Sequence, residues 1–375
     1  MEGRQGFWAG RRVCVTGGTG FLGYQLVHQL LAEKARVRVV ALPPPSSHPL
    51  HLLPEVETAY GDIRDAALVR RAVADCDVVF HTAGLVAVWG PALKRMYAVH
   101  VEGTRNVLAG ASPDARIVHT SSIVTVGASG NGTPLTEESP FNLRHLRVDY
   151  VHAKRAAEEA ALAAAAGGQW VTVTNPGYLV GPEDHERSVM GRFCRRFWNG
   201  RMLLAPPGGF NLVDVRDVAR GHLLAAERGK SGRRYILGGE NQTLRAFMWQ
   251  LASTAGMSPR VLPRLPLWAL RALAGLAEGH AWLTGREPYP SLQHARLNGY
   301  YWFVDSQRAR GELGYRPRPL EETLQATYRW YTASQRLALR GLNAWWMRPR
   351  QEGAFAEPWL TGPSSMRNQT CSGPA

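Results

Sequence analysis

A phenol and an ammonium stand four residues apart in Tyr150-Val151-His152-Ala153-Lys154, a spacing that sets both on one face of a helix. A free phenol, with a pKa of about 10, exchanges its proton poorly at neutral pH. A neighbouring cation stabilises the phenolate and draws that value down, which suits proton transfer to or from a substrate oxygen. Ser122 closes a strand-like run 28 residues upstream, where its hydroxyl can donate to the same oxygen. With twelve tyrosines and four lysines in the chain, such a pair also arises by chance, so its meaning depends on the elements around it.

Those elements begin with Thr16-Gly17-Gly18-Thr19-Gly20-Phe21-Leu22-Gly23. The strand-like Arg12-Val13-Cys14-Val15 precedes it, and Leu26, Leu30 and Leu31 follow at helical spacing. A strand that turns on glycines into a helix aims unpaired N–H groups and the positive end of a helix dipole at one point, which suits a diphosphate. Gly17 permits the turn, Gly20 the close approach of a ligand, and Gly23 the packing of helix on strand. A glycine-rich turn with no ligand is the alternative, and the strand-turn-helix order argues against it.

Further strands are expected at 37–42, 56–60, 77–81, 116–120 and 170–175, with helices at 66–74, 91–110 and 153–166, the last opened by Tyr150. This alternation predicts a doubly wound parallel sheet of Rossmann type, with ligands at the carboxyl ends of its strands. The second strand ends without an acidic residue or an arginine. A missing carboxylate removes the repulsion that excludes a 2′-phosphate, and Ser46, Ser47 and His48 can donate to one, so NADP is weakly preferred over NAD. Asp62 and Ile63 follow the third strand, where the carboxylate either meets an adenine or caps the next helix. Thr82, Ala83 and Gly84 follow the fourth and are small enough for a ribose and diphosphate to lie against.

The chain resembles the extended short-chain dehydrogenase/reductase superfamily, of the NAD-dependent epimerase/dehydratase type, over about residues 11–330. Besides the features above, the resemblance rests on Gly61-Asp62-Ile63-Arg64-Asp65, on Asn175-Pro176-Gly177-Tyr178-Leu179-Val180-Gly181-Pro182, and on 211–224 with Arg234-Tyr235-Ile236-Leu237-Gly238-Gly239. It is strongest toward the branch of dihydroflavonol reductases, 3β-hydroxysteroid dehydrogenases and hopanoid-associated sugar epimerases. It implies that Tyr150 is the acid/base, that Lys154 also binds the nicotinamide ribose, and that Ser122, or Ser121, orients the substrate. It further implies that Pro176, Gly177 and Val180 line the nicotinamide. The chain departs from the family at His100, where an Asn is common, at Val126 for a frequent Tyr, and at Asp214 and Arg216 for residues usually His and Asp.

The expected parts are a dinucleotide-binding core at 11–180, a smaller and mostly helical substrate-binding part at 181–335 with core elements returning at 210–240, and a basic helical extension and flexible tail at 336–375. Phe193, Phe197, Trp198, Met202, Leu203, Leu204 and Trp89 are either walls of an apolar pocket or ordinary core. Asp184-His185-Glu186 reads as a solvated loop, because three consecutive residues do not converge on one metal. The apolar tract 260–283 contains Arg264, Arg271 and Glu278. It is either a helix packed on the pocket or an interfacial helix in peripheral contact with a membrane.

The net charge of +14 would suit nucleic acid, but the arginines are dispersed and no nucleic-acid motif accompanies them, so no such partner is expected. Cys14, Cys76, Cys194 and Cys371 lack the spacing of a metal or disulfide site. Residues 1–10 hold no apolar run of signal-peptide length, which points to the cytoplasm and makes the sequons at Asn131, Asn241 and Asn368 chance matches. The function expected is an NAD(P)-dependent oxidoreductase that interconverts a ketone and a secondary alcohol on an apolar, sterol- or isoprenoid-like substrate, in a fold that also allows a homodimer. A nucleotide-sugar epimerase or dehydratase and a non-catalytic cofactor-binding protein are the alternatives.

Overall fold

The computed structural model describes residues 6–185, 188–202, 205–257 and 265–334. Glu186, Leu203, Leu204, residues 260–264 of the apolar tract, Cys371, Asn368 and the expected helical extension and tail at 336–375 lie outside them. The first half alternates as expected through β1 (Arg12–Thr16), α1 (Phe21–Ala32), β2 (Arg36–Ala41), β3 (Glu57–Tyr60), α2 (Ala66–Val73), β4 (Val78–His81), α3 (Ala92–Gly110), β5 (Arg116–Thr120), α4 (Asp149–Ala166) and β6 (Val171–Pro176). The second half adds β7 (Tyr178–Val180), α5 (Val189–Trp198), β8 (Gly209–Asp214), α6 (Val215–Arg228), β9 (Arg234–Leu237), β10 (Glu240–Thr243), α7 (Leu244–Thr254), α8 (Leu267–Thr284), α9 (Leu292–Leu297), β11 (Tyr301–Trp302) and α10 (Leu320–Ala333).

Seven parallel strands form the main sheet in the order β3-β2-β1-β4-β5-β6-β9. Its central strands are buried along nearly their whole length, as a parallel sheet covered by helices on both faces requires. Val13, Val15, Phe80 and Val118 pack with α1 and α6 on one face, while Cys14, Val79, Ile117 and Val173 pack with α2, α3 and α4 on the other. The order reverses direction between β1 and β4, so a crevice opens at their carboxyl ends. Cys14 and Cys76, on neighbouring segments, come within side-chain hydrogen-bond contact, and both are free thiols.

A second sheet forms around β8, which pairs in parallel with β7 and β11 and antiparallel with β10. Phe193, Phe197, Trp198 and Met202 belong to the core beneath it, with Phe193 stacked on Phe247 at 5.6 Å and Trp198 Nε1 donating to Leu251 O at 2.9 Å. Trp198 is buried in that core, and the other three, partly buried, pack against it. Asp184 also departs from expectation. Only 1% exposed, it accepts from Ser188 N, Ser188 Oγ and Tyr331 Oη at 2.7, 3.1 and 2.7 Å. Its carboxylate ties the start of α5 to α10, so Asp184 is an internal brace rather than a solvated loop residue.

Helix α4 begins at Asp149, one residue before Tyr150, the residue expected to open it. No local side chain caps it. Gln293 of α9 does that work instead: its Oε1 accepts from Asp149 N at 3.1 Å and its Nε2 donates to Asp149 Oδ2 at 2.7 Å. A cap supplied from 144 residues away leaves no mark in the local sequence. Gln293→Ala is therefore expected to cost about 1–2 kcal/mol of stability, read from the denaturant midpoint, through loss of a cap and of a charge-assisted bond.

Candidate active site

The crevice starts at the glycine turn after β1. Gly17 has φ +72°, and a Cβ there would lie 2.8 Å from Ala83 Cα. A Cβ on Gly23 would lie 2.2 Å from Gly17 O, so neither position tolerates a side chain without moving backbone. A Cβ on Gly20, by contrast, would meet only Gly17 O at 3.2 Å and otherwise open space. Helix α1 starts there with no capping side chain and no acid in its first turn, while Phe21 and Leu22 turn into the core. An uncapped helix N-terminus facing open space fits the diphosphate of a dinucleotide. Thr82, Ala83 and Gly84 form the opposite wall. They are fixed by Thr82 Oγ1 and Thr82 N donating to Thr16 O at 2.6 and 3.2 Å, and by Ala83 N donating to Thr16 Oγ1 at 3.2 Å.

At the adenosine end the structure corrects one expectation. Thr19 O accepts from His48 Nε2 at 3.0 Å, and His48 Nδ1 accepts from Leu50 N at 3.1 Å. Both ring nitrogens are thus engaged, one on the glycine turn and one on Leu50 N, and His48 is not available to a 2′-phosphate. Ser46 and Ser47 are exposed. Asp62 does not cap α2, because Asp65 does so by accepting from Ala67 N and Leu68 N. The Asp62 carboxylate is held by Arg64 at 2.7 Å, which lowers its pKa from the ordinary value. Ile63 is buried against Gly103, and its carbonyl accepts from Asn106 Nδ2 at 3.1 Å.

Tyr150, in the first turn of α4, and Ser122, just past β5, lie close enough for the serine hydroxyl to favour the phenolate. Ser121 turns away, its Oγ 3.2 Å from Thr125 Oγ1, so the geometry selects Ser122 of the two serines. Lys154 is 7% exposed, and its Nζ donates to Thr120 O at 2.8 Å. Burial pushes this ammonium down to about 8, with Glu158 acting the other way. The phenol behaves differently from expectation. Burial raises it to about 12, opposed by the Ser122 contact. In this arrangement the ammonium serves the end of β5 and does not depress the phenol.

Residues of the 175–182 motif, and His100, surround this pair. His100 meets the Tyr150 ring edge-on at 5.8 Å between centroids, and its Nε2 donates to Leu85 O at 2.9 Å. Burial, then the charge of Lys154, holds it neutral, well below the usual histidine value. Tyr178 is close enough to Tyr150 for its phenol to be raised by burial and by that neighbour, and its ring lies 4.7 Å from Phe210. Gly177 N donates to Leu237 O at 3.1 Å, and a Cβ there would be 2.5 Å from Asn211 Oδ1. Pro176 pairs with Leu237 across β6 and β9, whereas the Val180 side chain is spent in the core of the second half.

Beneath the pair lies Glu158, one turn beyond Lys154 and 0% exposed. Its Oε2 accepts from Thr125 Oγ1 at 2.6 Å and Asn175 Nδ2 at 2.7 Å, and its Oε1 from Arg234 at 3.2 Å. Asn175 Nδ2 also donates to Ser122 O at 3.2 Å. The carboxylate thereby fixes the backbone of Ser122 while its charge supports that of Lys154. The Lys154–Glu158 spacing was legible, but Arg234 and Asn175 join through the sheet alone. Among the described residues no His, Cys, Asp and Glu group could hold a metal.

Two measurements test this electrostatic arrangement. If the Lys154 ammonium is required, kcat/KM falls as pH rises through about 8, and Glu158→Gln, which removes the charge that favours the ammonium, moves that limb to lower pH. Burial holds His81 at about 3 and His222 at about 4. With folded values below the unfolded ones, the unfolded chain binds more protons under acid. Stability is then full above about pH 6.5 and declines toward pH 4, as thermal melts at successive pH values will show.

The profile of the NAD dependent epimerase/dehydratase family matches residues 13–238. A provisionally named dihydroflavonol 4-reductase of Synechocystis is 35% identical, covering 84% of this chain and 93% of its own. A sterol demethylase protein B of Methylococcus capsulatus is 33% identical over 84% and 97%. A solved nucleoside-diphosphate-sugar epimerase from Pseudomonas aeruginosa superposes with a TM-score of 0.70 at 25% identity, over 87% and 99%. With a parallel seven-stranded sheet, a glycine cradle for a dinucleotide and a match over most of its length, the chain belongs to the NAD-dependent epimerase/dehydratase family of extended short-chain dehydrogenases/reductases, NAD(P)-binding enzymes of oxidoreductase type.

Proposed function

We propose that the protein interconverts a ketone and a secondary alcohol on an apolar substrate. The contact between Ser122 and Tyr150 at the mouth of the crevice, with Lys154 buried below, is the observation that carries this reading. The glycine turn at 17–23, Asp62, Ile63, Thr82–Gly84 and Pro176–Gly177 would hold the dinucleotide, and Lys154 its nicotinamide ribose. When bound, the nicotinamide supplies the hydride, or accepts it in the reverse direction. Ser122 donates a hydrogen bond to the carbonyl oxygen and fixes its position. Tyr150 delivers its proton to that oxygen as carbon gains hydride, giving the alcohol, and takes the proton back in reverse. A phenol raised by burial stays protonated at neutral pH, the form in which it can give a proton to the carbonyl oxygen.

Tyr178 and Phe210, in ring contact beside Tyr150, and the neutral His100 give the substrate side an apolar and aromatic character. The naming of the Methylococcus relative for a sterol agrees with that. The weak preference for NADP now rests on the absence of an acidic residue after β2 and on Ser46 and Ser47. A nucleotide-sugar epimerase remains the second reading, favoured by the Pseudomonas neighbour. Such an enzyme returns its hydride to the same substrate, so its cofactor would survive purification, whereas a reductase exchanges freely with NADPH.

Tyr150→Phe is expected to lower kcat by about 10²–10⁴-fold while leaving dinucleotide affinity nearly unchanged. Cofactor absorbance with apolar ketones, run beside a sugar-epimerisation assay, checks both readings. Retained turnover in this variant would remove the phenol from the mechanism.

A further inference from the structure

Helix α8 is turned inside out for a surface helix. Leu270, Ala274 and Ala281 face inward, the first two clustered with Ala295 and the partly buried Leu265 and Leu292. The opposite side, at the same helical spacing, presents Trp268, Ala272, Leu276, Gly279 and Leu283 to solvent. Trp268 is 74% exposed, Leu276 73% and Leu283 87%. No charged residue falls within this arc. Arg271 stands at its border, and the partly buried Glu278 is engaged by Leu292 N at 2.8 Å. An ordinary amphipathic helix buries such a stripe and hydrates its charges. Five of the eleven exposed large apolar side chains among the described residues lie on this one helix.

We propose that the outward face of α8 is a docking surface for an anionic lipid bilayer. Three observations select this occupant. The helix has 18 residues, about 27 Å at 1.5 Å each, yet among the described residues no helix is long and apolar enough to cross a membrane, so α8 lies along the surface. Tryptophans occur near both ends of the exposed face, Trp268 and Trp282, a residue type suited to the boundary between hydrocarbon and water. The overall charge is complementary: Arg271 and the exposed Arg286 border the apolar arc, with Glu287 the one exposed acid beside them among the described residues, in a chain of net charge +14. Trp282 also touches Trp89 of the loop after β4, at 5.5 Å between rings. Gln293 of the adjoining α9 holds the first turn of α4. The docked face is thereby built into the same unit as the rim of the crevice. This surface stands on exposure and charge, and holds whichever substrate the crevice takes.

The test uses the full chain and sedimentation with phosphatidylcholine vesicles, with and without phosphatidylglycerol. Wild type is expected to sediment with the anionic vesicles and more weakly with the neutral ones. The triple variant Trp268→Ser/Leu276→Ser/Leu283→Ser is expected to lose about tenfold or more of that partitioning, since each large side chain withdrawn from water is worth that much. All three are exposed, so its melting temperature should match wild type, and this comparison shows that the variant is folded. Arg271→Glu should narrow the preference for anionic vesicles. The proposal is overturned if wild type ignores both vesicle types. It is equally overturned if the triple variant binds as well as wild type, which would assign binding to the basic residues beyond 334. Sedimentation velocity showing a dimer that the same substitutions dissociate, without vesicle binding, would assign the face to a second copy of the chain.

Discussion

A charged ammonium held inside the protein at the carboxyl end of β5 is the constraint to which the rest of the site answers. Its fall from 10.5 to about 8 corresponds to roughly 3 kcal/mol of penalty on the charged form. Thr120 O and Glu158 limit that penalty, but a buried carboxylate needs partners of its own. Thr125, Asn175 and Arg234 supply them from three different segments. The same bonds that satisfy Glu158 hold the backbone of Ser122, so neutralising the buried charge and positioning the serine are one physical arrangement.

This arrangement explains why β9 belongs to the main sheet although it comes late in the chain. It carries Arg234 to Glu158, and Gly177 N meets its carbonyl at Leu237. The second half is anchored by comparable long-range ties: Asn211 to Gly239 at 2.9 Å, Asp184 to Tyr331, and Gln293 to Asp149. Each joins a polar group to a partner far away in sequence, and together they set the crevice walls. Unpaired polar groups in these positions would be costly, which makes the ties specific as well as stabilising.

The buried histidines obey the same rule with a different outcome. His81 bridges Thr16 and Thr104, and His222 bridges Thr120, Thr174 and Val218 O. Neutral imidazoles satisfy the threonines at the strand ends without adding charge next to Lys154. His119 is the exception, with both ring nitrogens buried and unpartnered. It lies 5.4 Å from His81. Burial first, and then the neighbouring His81 and Lys154, hold it neutral too.

The sequence by itself determined the alternation of strands and helices, the glycine cradle and the Tyr150–Lys154 pair, because each depends on spacing within one turn or one strand. It could not show that His48 is committed to the glycine turn, that Asp184 is internal, or that the aromatic residues around Trp198 form a core. Those depend on partners that only chain folding brings near. The start of α4 is the clearest case: its cap is Gln293, which no local pattern announces. Burial decided the proton affinities, reversing the expected depression of the Tyr150 phenol, because desolvation is a property of the assembled surroundings. The tertiary structure also decided which side of the apolar tract faces outward, since periodicity defines a helix's stripes but not which of them the core takes.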